Sequence, residues 1–276
     1  MNYERITVKP VTPTIGAEIE GVRLGQSLDA QTCAELRRAW LEHQVIFFRD
    51  QALDHDGLKA FGRSFGELDI HPSLPGPPGH PEILPIHTDA NSSYIAGEAW
   101  HSDVTYDAVP PTGSILYLHT VPPSGGDTLF ANMGAAYEAL SDRLKAYLEG
   151  LTAHHGSEHR FRGRFADRLG DDTGKVYPQA DHPVVRTHPE TGRRILFVNP
   201  WFTTRINELP ALESDAMLRM LYEHINDPIH QVRFRWRPGS VAFWDNRSVQ
   251  HMALWDYRGQ VRSGFRITLE GSPDPQ

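Results

Sequence analysis

The chain of 276 residues has one cysteine, Cys33, so no internal disulfide can staple it. It has no apolar run near the roughly 18 residues that a membrane span needs; stretches such as Val45–Phe48 are the longest. Its N-terminus, Met1-Asn-Tyr-Glu-Arg-Ile-Thr-Val, carries no apolar segment behind a basic one, which argues against a secretory signal. It lacks a basic excess: 27 Lys and Arg stand against 35 Asp and Glu, a net charge of −8, the opposite of what phosphate backbones attract. Only 4 of the basic residues are Lys, a bias from which no function follows. These absences predict a cytoplasmic protein with neither nucleic acid nor a membrane as partner.

What is present is a loop-rich globular composition with 23 Gly and 21 Pro, and no linker or repeat that would divide the chain. A single domain over 1–276 is expected. Ala30–Gln44, behind a possible Asp29 N-cap, and Asp54–Phe65 carry apolar residues at helical spacing. Gly134–Gly150 and Leu212–Asn226 also read as helical. Between and after them lie short strand-like segments: Val45–Phe48, Gly113–Thr120, Asp127–Ala131, Pro183–His188, Arg193–Asn199, Gln231–Trp236, Ser240–Asp245 and Arg262–Glu270. Strands of this length with turns between them predict a mainly β fold with flanking helices, a jelly roll or double-stranded β-helix. Residues 69–99, rich in Pro, Gly, His, Asn and Ser, are expected to form one long mobile loop of functional importance.

Fifteen His residues make metal binding worth testing, since His is the commonest ligand for borderline metals. The tripeptide His-x-Asp/Glu places two ligands on one strand face, but about two such tripeptides arise by chance in this composition. Four occur: His80-Pro-Glu82, His87-Thr-Asp89, His101-Ser-Asp103 and His188-Pro-Glu190. Most must be surface His beside a solvated acid. His80 and His188 precede proline and suit turns, and His87 lies in the Pro/Gly-rich stretch. His101-Ser-Asp103, between Trp100 and the Pro110-Pro111 turn, is the candidate. Far along the chain, Ser240–His251 reads as a strand, a turn and a delivered His. Arg262 and Arg266 then fall on one face of a strand, with Gly264 between them. Two inward guanidinium groups are either structural ion pairs or a site for anions, because Arg offers a fork matched to carboxylate or sulfonate.

Together, Trp100-His-Ser-Asp-Val-Thr-Tyr106, Pro110-Pro-Thr-Gly-Ser-Ile-Leu116, Gly125-Gly-Asp-Thr-Leu-Phe130 and Trp244-Asp-Asn-Arg-Ser-Val-Gln-His251, followed by Arg262 and Arg266, resemble the taurine dioxygenase family of Fe(II)/2-oxoglutarate-dependent oxygenases over nearly the whole chain. The resemblance implies that His101, Asp103 and His251 bind Fe(II), with open positions for 2-oxoglutarate and O2. It implies that Arg262 and Thr128 hold the far carboxylate of 2-oxoglutarate, and that Asp103 marks a hydroxylase, since related halogenases lack that carboxylate. It further implies that His71, Arg266 and the Val104 amide hold a small organic anion, with Phe161, Phe202 and Trp244 around the site, although a Phe at strand spacing is more often core.

Where taurine hydroxylases carry a Tyr and an Asn, this chain has Leu74 and Gly97. Fewer polar groups and more apolar room disfavour taurine and suit an alkylsulfonate, a sulfate ester or an aryloxyalkanoate. The activity implied is hydroxylation with C–S or C–O cleavage, giving CO2 and succinate. A non-catalytic metal- and anion-binding jelly-roll sensor is the alternative. Family members commonly form dimers or tetramers, so a homo-oligomer is expected.

Overall fold

The structure is a computed structural model that describes residues 3–71, 76–163 and 174–272. In chain order, the described strands are β1 (Thr7–Pro10), β2 (Ala17–Glu20), β3 (Val45–Phe48), β4 (Leu84–Thr88), β5 (Gly113–Thr120), β6 (Thr128–Asn132), β7 (Thr152–Gly156), β8 (Gln179–Pro183), β9 (Val185–Thr187), β10 (Arg194–Leu196), β11 (Thr203–Ile206), β12 (Gln231–Phe234), β13 (Ser240–Asp245), β14 (Val249–Ala253) and β15 (Arg262–Leu269). The helices are α1 (Ala30–His43), α2 (His55–Arg63), α3 (Met133–Glu138), α4 (Asp142–Leu148), α5 (Glu158–Phe161) and α6 (Ala211–Ile225).

A seven-stranded sheet in the order β1-β2-β3-β13-β5-β15-β4 faces smaller sheets, β12-β6-β14 among them, in a jelly roll. Strand alternation divides the large sheet's side chains between two cores. Val45, Phe47, Leu116, Leu118, Ala242 and Trp244 face Phe130, Val232, Phe234 and Val249 of the small sheet. Their neighbours Ile46, Phe48, Ile115, Tyr117, Val241, Phe243 and Ile267 pack instead under Leu36, Ala39 and Trp40 of α1 and Leu58 and Phe61 of α2. Both faces of the central strands are therefore buried, which is why they read as continuous apolar runs.

The helix starts follow from capping chemistry: the Asp29 carboxylate accepts from the Thr32 amide at 2.7 Å and the Asp54 carboxylate from Gly57 at 2.7 Å. The expected helix over 134–150 is two helices, because Ser141 accepts from the Leu144 amide and restarts the chain as α4. The expected loop over 69–99 also needs correction. Its middle is strand β4, paired antiparallel to β15 from Arg262↔Thr88 to Arg266↔Leu84, and Ile83 beside it is buried in the core. Pro85 was read as a loop residue, but at a sheet edge its missing donor is tolerated.

β15 positions the two arginines. It pairs β5 from Ser263↔Thr120 to Leu269↔Gly113, with a register shift after Ser263 that leaves His119 of β5 unpaired. The irregularity therefore falls on β5, and the alternation of β15 is intact, so Arg262 and Arg266 share the inner face. Gly264 between them lies where a Cβ would come 2.0 Å from the Tyr117 carbonyl oxygen, so only glycine fits the bulge.

Candidate active site

Three ligand-bearing side chains meet between the sheets. An antiparallel bridge joins His101 to His251, each amide donating to the other's carbonyl, at 3.1 and 2.8 Å. The bridge brings the imidazole centroids to 4.1 Å. The Nε2 atoms of His101 and His251 lie 3.8 and 3.9 Å from Oδ1 of Asp103. One ligand atom from each residue lies within 4.8 Å of the others, and all three residues are buried. Among the described residues this is the one such group of His, Cys, Asp and Glu.

The surroundings prepare these atoms for a cation. His101 Nδ1 lies 2.8 Å from the Ala99 carbonyl, and because a carbonyl can only accept, the proton sits on Nδ1 and the Nε2 lone pair faces Asp103. Burial pushes the pKa of both His101 and His251 below the ordinary imidazole value, keeping them as neutral ligands. Burial pushes the Asp103 carboxyl upward, but Arg266, His251, His101 and the Ser114 hydroxyl outweigh it and hold the group below the usual carboxylate range. Ser114 donates to Asp103 Oδ2 at 2.7 Å, and Asn246 Nδ2 donates to Ser114 at 3.0 Å. Asn246 in turn accepts from Trp244 Nε1 at 2.9 Å. Neutral imidazoles and an ionised carboxylate on one face, held by outer hydrogen bonds, form a donor set that fits Fe(II).

Beside the triad is a binding place for a carboxylate. Arg262 is 5 % exposed, donates Nε to the Gly126 carbonyl at 3.1 Å and reaches the Thr128 hydroxyl at 3.5 Å. Among the described residues no carboxylate lies within ion-pair distance of it, and burial lowers its pKa. Trp236 Nε1 donates to Thr128 Oγ1 at 3.0 Å, leaving the hydroxyl proton free to donate elsewhere. A buried guanidinium without an acid, next to a donor hydroxyl, is matched to an incoming carboxylate.

Arg266 reaches the triad itself. Its Nη1 donates to Asp103 Oδ1 at 2.9 Å, while its Nε is buried without a hydrogen-bond partner. Burial and the nearby Arg266 charge push His71 down to about 4, so it is neutral near pH 7. Val104, with φ 54, is a β-branched residue in the left-handed region, a strained conformation directly after a ligand. Phe161 and Phe202 join Tyr106 and Trp201 in one aromatic cluster. Phe202 lies 4.9 Å from Tyr106 and 6.3 Å from His101, centroid to centroid, and Trp201 lies 5.7 Å from His101.

Two residues expected to shape a pocket act on the triad instead. Trp244, 2 % exposed, packs 4.7 Å from the His251 ring. Gly97 has φ +79, and a Cβ there would lie 2.8 Å from His101 Cε1, so its missing side chain makes room for the imidazole and opens no space for a ligand. Leu74 lies outside the described residues. His188 opens a turn as expected, but it is 3 % exposed and pairs with Asp245 at 2.9 Å, while Arg247 bridges Asp245 and Glu190. That network is structural. Sequence reasoning missed Ser114, Asn246, Tyr106, Trp201 and Trp236; the first three stood inside the motifs already singled out, and only their contacts reveal their roles.

The sequence model of the family described as taurine catabolism dioxygenase TauD, TfdA family matches residues 7–268. The chain is 38% identical to an alpha-ketoglutarate-dependent sulfate ester dioxygenase of Pseudomonas putida, over 96% of this chain and 90% of that one. It is 35% identical to an alkylsulfatase of Acinetobacter baylyi, over 97% of this chain and 86% of that one. The crystal structure of a taurine dioxygenase from Burkholderia xenovorans superimposes with a TM-score of 0.84 at 40% identity, covering 98% of this chain and 92% of that one.

Proposed function

Since the chain belongs to the TauD, TfdA family, we propose that it is an Fe(II)- and 2-oxoglutarate-dependent dioxygenase whose substrate is a small organic anion of the alkyl sulfate ester or alkylsulfonate class, with aryloxyalkanoates as poorer substrates. The observation that carries this is the buried His101, Asp103 and His251 set flanked by two inward guanidinium groups, one with no carboxylate within ion-pair distance among the described residues. When bound, Fe(II) with 2-oxoglutarate and O2 supplies the oxidising equivalents that convert a substrate C–H into C–OH, with CO2 and succinate as coproducts.

The chain's own residues do the rest. His101, Asp103 and His251 hold the metal. Arg262 and Thr128 hold the far carboxylate of 2-oxoglutarate through charge-assisted hydrogen bonds. Arg266, His71 and the Val104 amide receive the sulfate or sulfonate, so that the adjacent carbon faces the metal. Tyr106, Phe161, Trp201 and Phe202 line the apolar side and exclude water. Hydroxylation at a carbon bearing a sulfate oxygen gives a hemiacetal-like product that collapses to an aldehyde and inorganic sulfate; a sulfonate yields sulfite, and an aryloxyalkanoate yields a phenol.

Relatives named for sulfate esters and alkylsulfates support the preference for sulfate esters. No observation favours the sensor reading. The enzyme is taken to work in the cytoplasm as a homo-oligomer, a dimer or tetramer, without nucleic acid or membrane; light scattering on the eluting protein tests the oligomer. Among the described residues no helix is long and apolar enough to cross a membrane.

The test is a panel of butyl to octyl sulfates, the matching sulfonates, phenoxypropionate and taurine, assayed for aldehyde and inorganic sulfate, sulfite or phenol. Alkyl sulfates turning over with the highest kcat/KM support the assignment; taurine turning over as well as the best member of the panel overturns it.

A further inference from the structure

One side chain outside the site touches both of its walls. Asn199, 2 % exposed, stands between β10 and β11. Its Oδ1 accepts from the Trp201 amide at 3.2 Å and the Phe202 amide at 2.8 Å, folding the backbone so that both rings are presented beside His101. Its Nδ2 donates to the Thr105 hydroxyl at 3.1 Å. Thr105, 1 % exposed, lies two residues after the Asp103 ligand, between strained Val104 and Tyr106.

The Thr105 hydroxyl also lies 2.9 Å from His155 Nδ1, and His182 Nε2 reaches the carbonyls of Thr105 and Asp107 at 2.9 and 3.0 Å. A β-branched residue at positive φ is strained and persists only where its surroundings overdetermine it. These bonds supply that constraint on one side of Val104, and Asn246, accepting from the Asp103 amide at 3.4 Å, supplies it on the other.

Resting on the reading above, we propose that Asn199 is a positioning residue that ties the Trp201–Phe202 wall to the Val104–Tyr106 turn. It thereby sets the affinity for the organic anion and the efficiency with which 2-oxoglutarate turnover is coupled to hydroxylation. Among the described residues Asn199 hydrogen-bonds to none of the triad and to neither arginine, so the proposal expects binding of 2-oxoglutarate to be unaffected by it. The Asn199 side chain itself reaches the turn through one hydroxyl, that of Thr105, beside the ring packing of Phe202 on Tyr106, and this bond can be cut from either end. Thr105→Val keeps the branched shape and removes the acceptor; Thr105→Ser keeps the acceptor. Asn199→Ala removes the other partner.

The experiment uses the full chain and hexyl sulfate. Steady-state assays compare KM for hexyl sulfate, KM for 2-oxoglutarate and the ratio of succinate to aldehyde in wild type, T105V, T105S, N199A and the T105V/N199A double variant. Hydrogen exchange of peptides covering 197–206 is followed in the metal-free proteins.

The proposal predicts that T105V and N199A each raise KM for hexyl sulfate about tenfold and raise the succinate-to-aldehyde ratio. The double variant should be no worse than the worse single one, KM for 2-oxoglutarate should stay within twofold, and T105S should behave as wild type. It also predicts faster exchange over 197–206 in T105V, a change made on the far side of the bond. Unchanged exchange over 197–206 in T105V overturns the proposal whether or not hexyl sulfate is turned over, as do additive effects of the two variants or a parallel rise in both KM values. Absence of turnover by wild type on every anion of the panel overturns the functional reading instead, and the exchange result then decides the proposal alone. If N199A fails to fold, T105V against T105S decides it.

Discussion

Arg266 Nη1 and Asp103 Oδ1 are 2.9 Å apart, so one of the two inward arginines of β15 holds the carboxylate of the triad. The contact keeps Asp103 ionised, and under the proposed function the same guanidinium also receives the organic anion.

Replacing Arg266 by Gln removes a charged donor from a buried carboxylate and the charge from the anion site. The expected outcome is a rise in KM for hexyl sulfate of about 100-fold, following the 1.4 kcal/mol per tenfold conversion for a lost charge-assisted hydrogen bond of about 3 kcal/mol. KM for 2-oxoglutarate should change much less. Initial-rate kinetics at fixed Fe(II) measure both.

Arg262 carries the opposite prediction. Arg262→Lys keeps a positive charge but loses the planar fork that reaches Gly126 and Thr128 together. KM for 2-oxoglutarate should rise about 10- to 100-fold, while affinity for Co(II), titrated in place of Fe(II), stays as in wild type. Weakened Co(II) binding would place Arg262 in the metal site instead.

A methyl group at position 97 meets His101 Cε1 at 2.8 Å on a backbone at φ +79. Gly97→Ala should therefore cost about 1–3 kcal/mol of stability and lower Co(II) affinity about 10-fold or more, as for other changes to residues that orient ligands. Thermal unfolding and metal titration check the two effects separately.

The His188, Asp245 and Arg247 network predicts a pH effect without a catalytic one. Burial pushes Asp245 upward, but Arg247 and the His188 hydrogen bond outweigh it and hold the carboxyl below its ordinary value. A carboxyl depressed in the folded state contributes stability above the unfolded pKa of about 3.9, and that contribution is lost as pH falls through the folded value. Asp245→Asn should cost about 3–5 kcal/mol at pH 7, the gap to wild type should narrow below pH 4, and KM values should be unchanged. Denaturant unfolding at pH 7 and pH 3.5 measures it.

Much of this arrangement is legible in the sequence. Asp29 and Asp54 announce helix starts, and Val45–Phe48 and Ser240–Asp245 announce central strands because both of their faces are buried. His101, Asp103, His251, Arg262 and Arg266 are readable because their chemistry is costly to bury without a partner. Strands β4, β7 and β8 are not readable: they carry Pro and His where apolar alternation would be expected, and only pairing makes them strands, β4 with β15, β7 with β11 and β8 with β7. The burial of His188 is not legible because its acid partner, Asp245, is 57 residues away. Gly97 and Trp244 pack against the triad imidazoles, and whether such a residue faces a ligand or an imidazole depends on packing that spacing does not encode.

The most direct test of the account is succinate formation from 2-oxoglutarate under air with Fe(II), with and without hexyl sulfate, in wild type and in Asp103→Ala. The account predicts succinate production that hexyl sulfate stimulates at least tenfold, matched by aldehyde, and abolished in the variant. Stimulation that survives in Asp103→Ala would contradict it, as would aldehyde and sulfate release that needs neither 2-oxoglutarate nor O2.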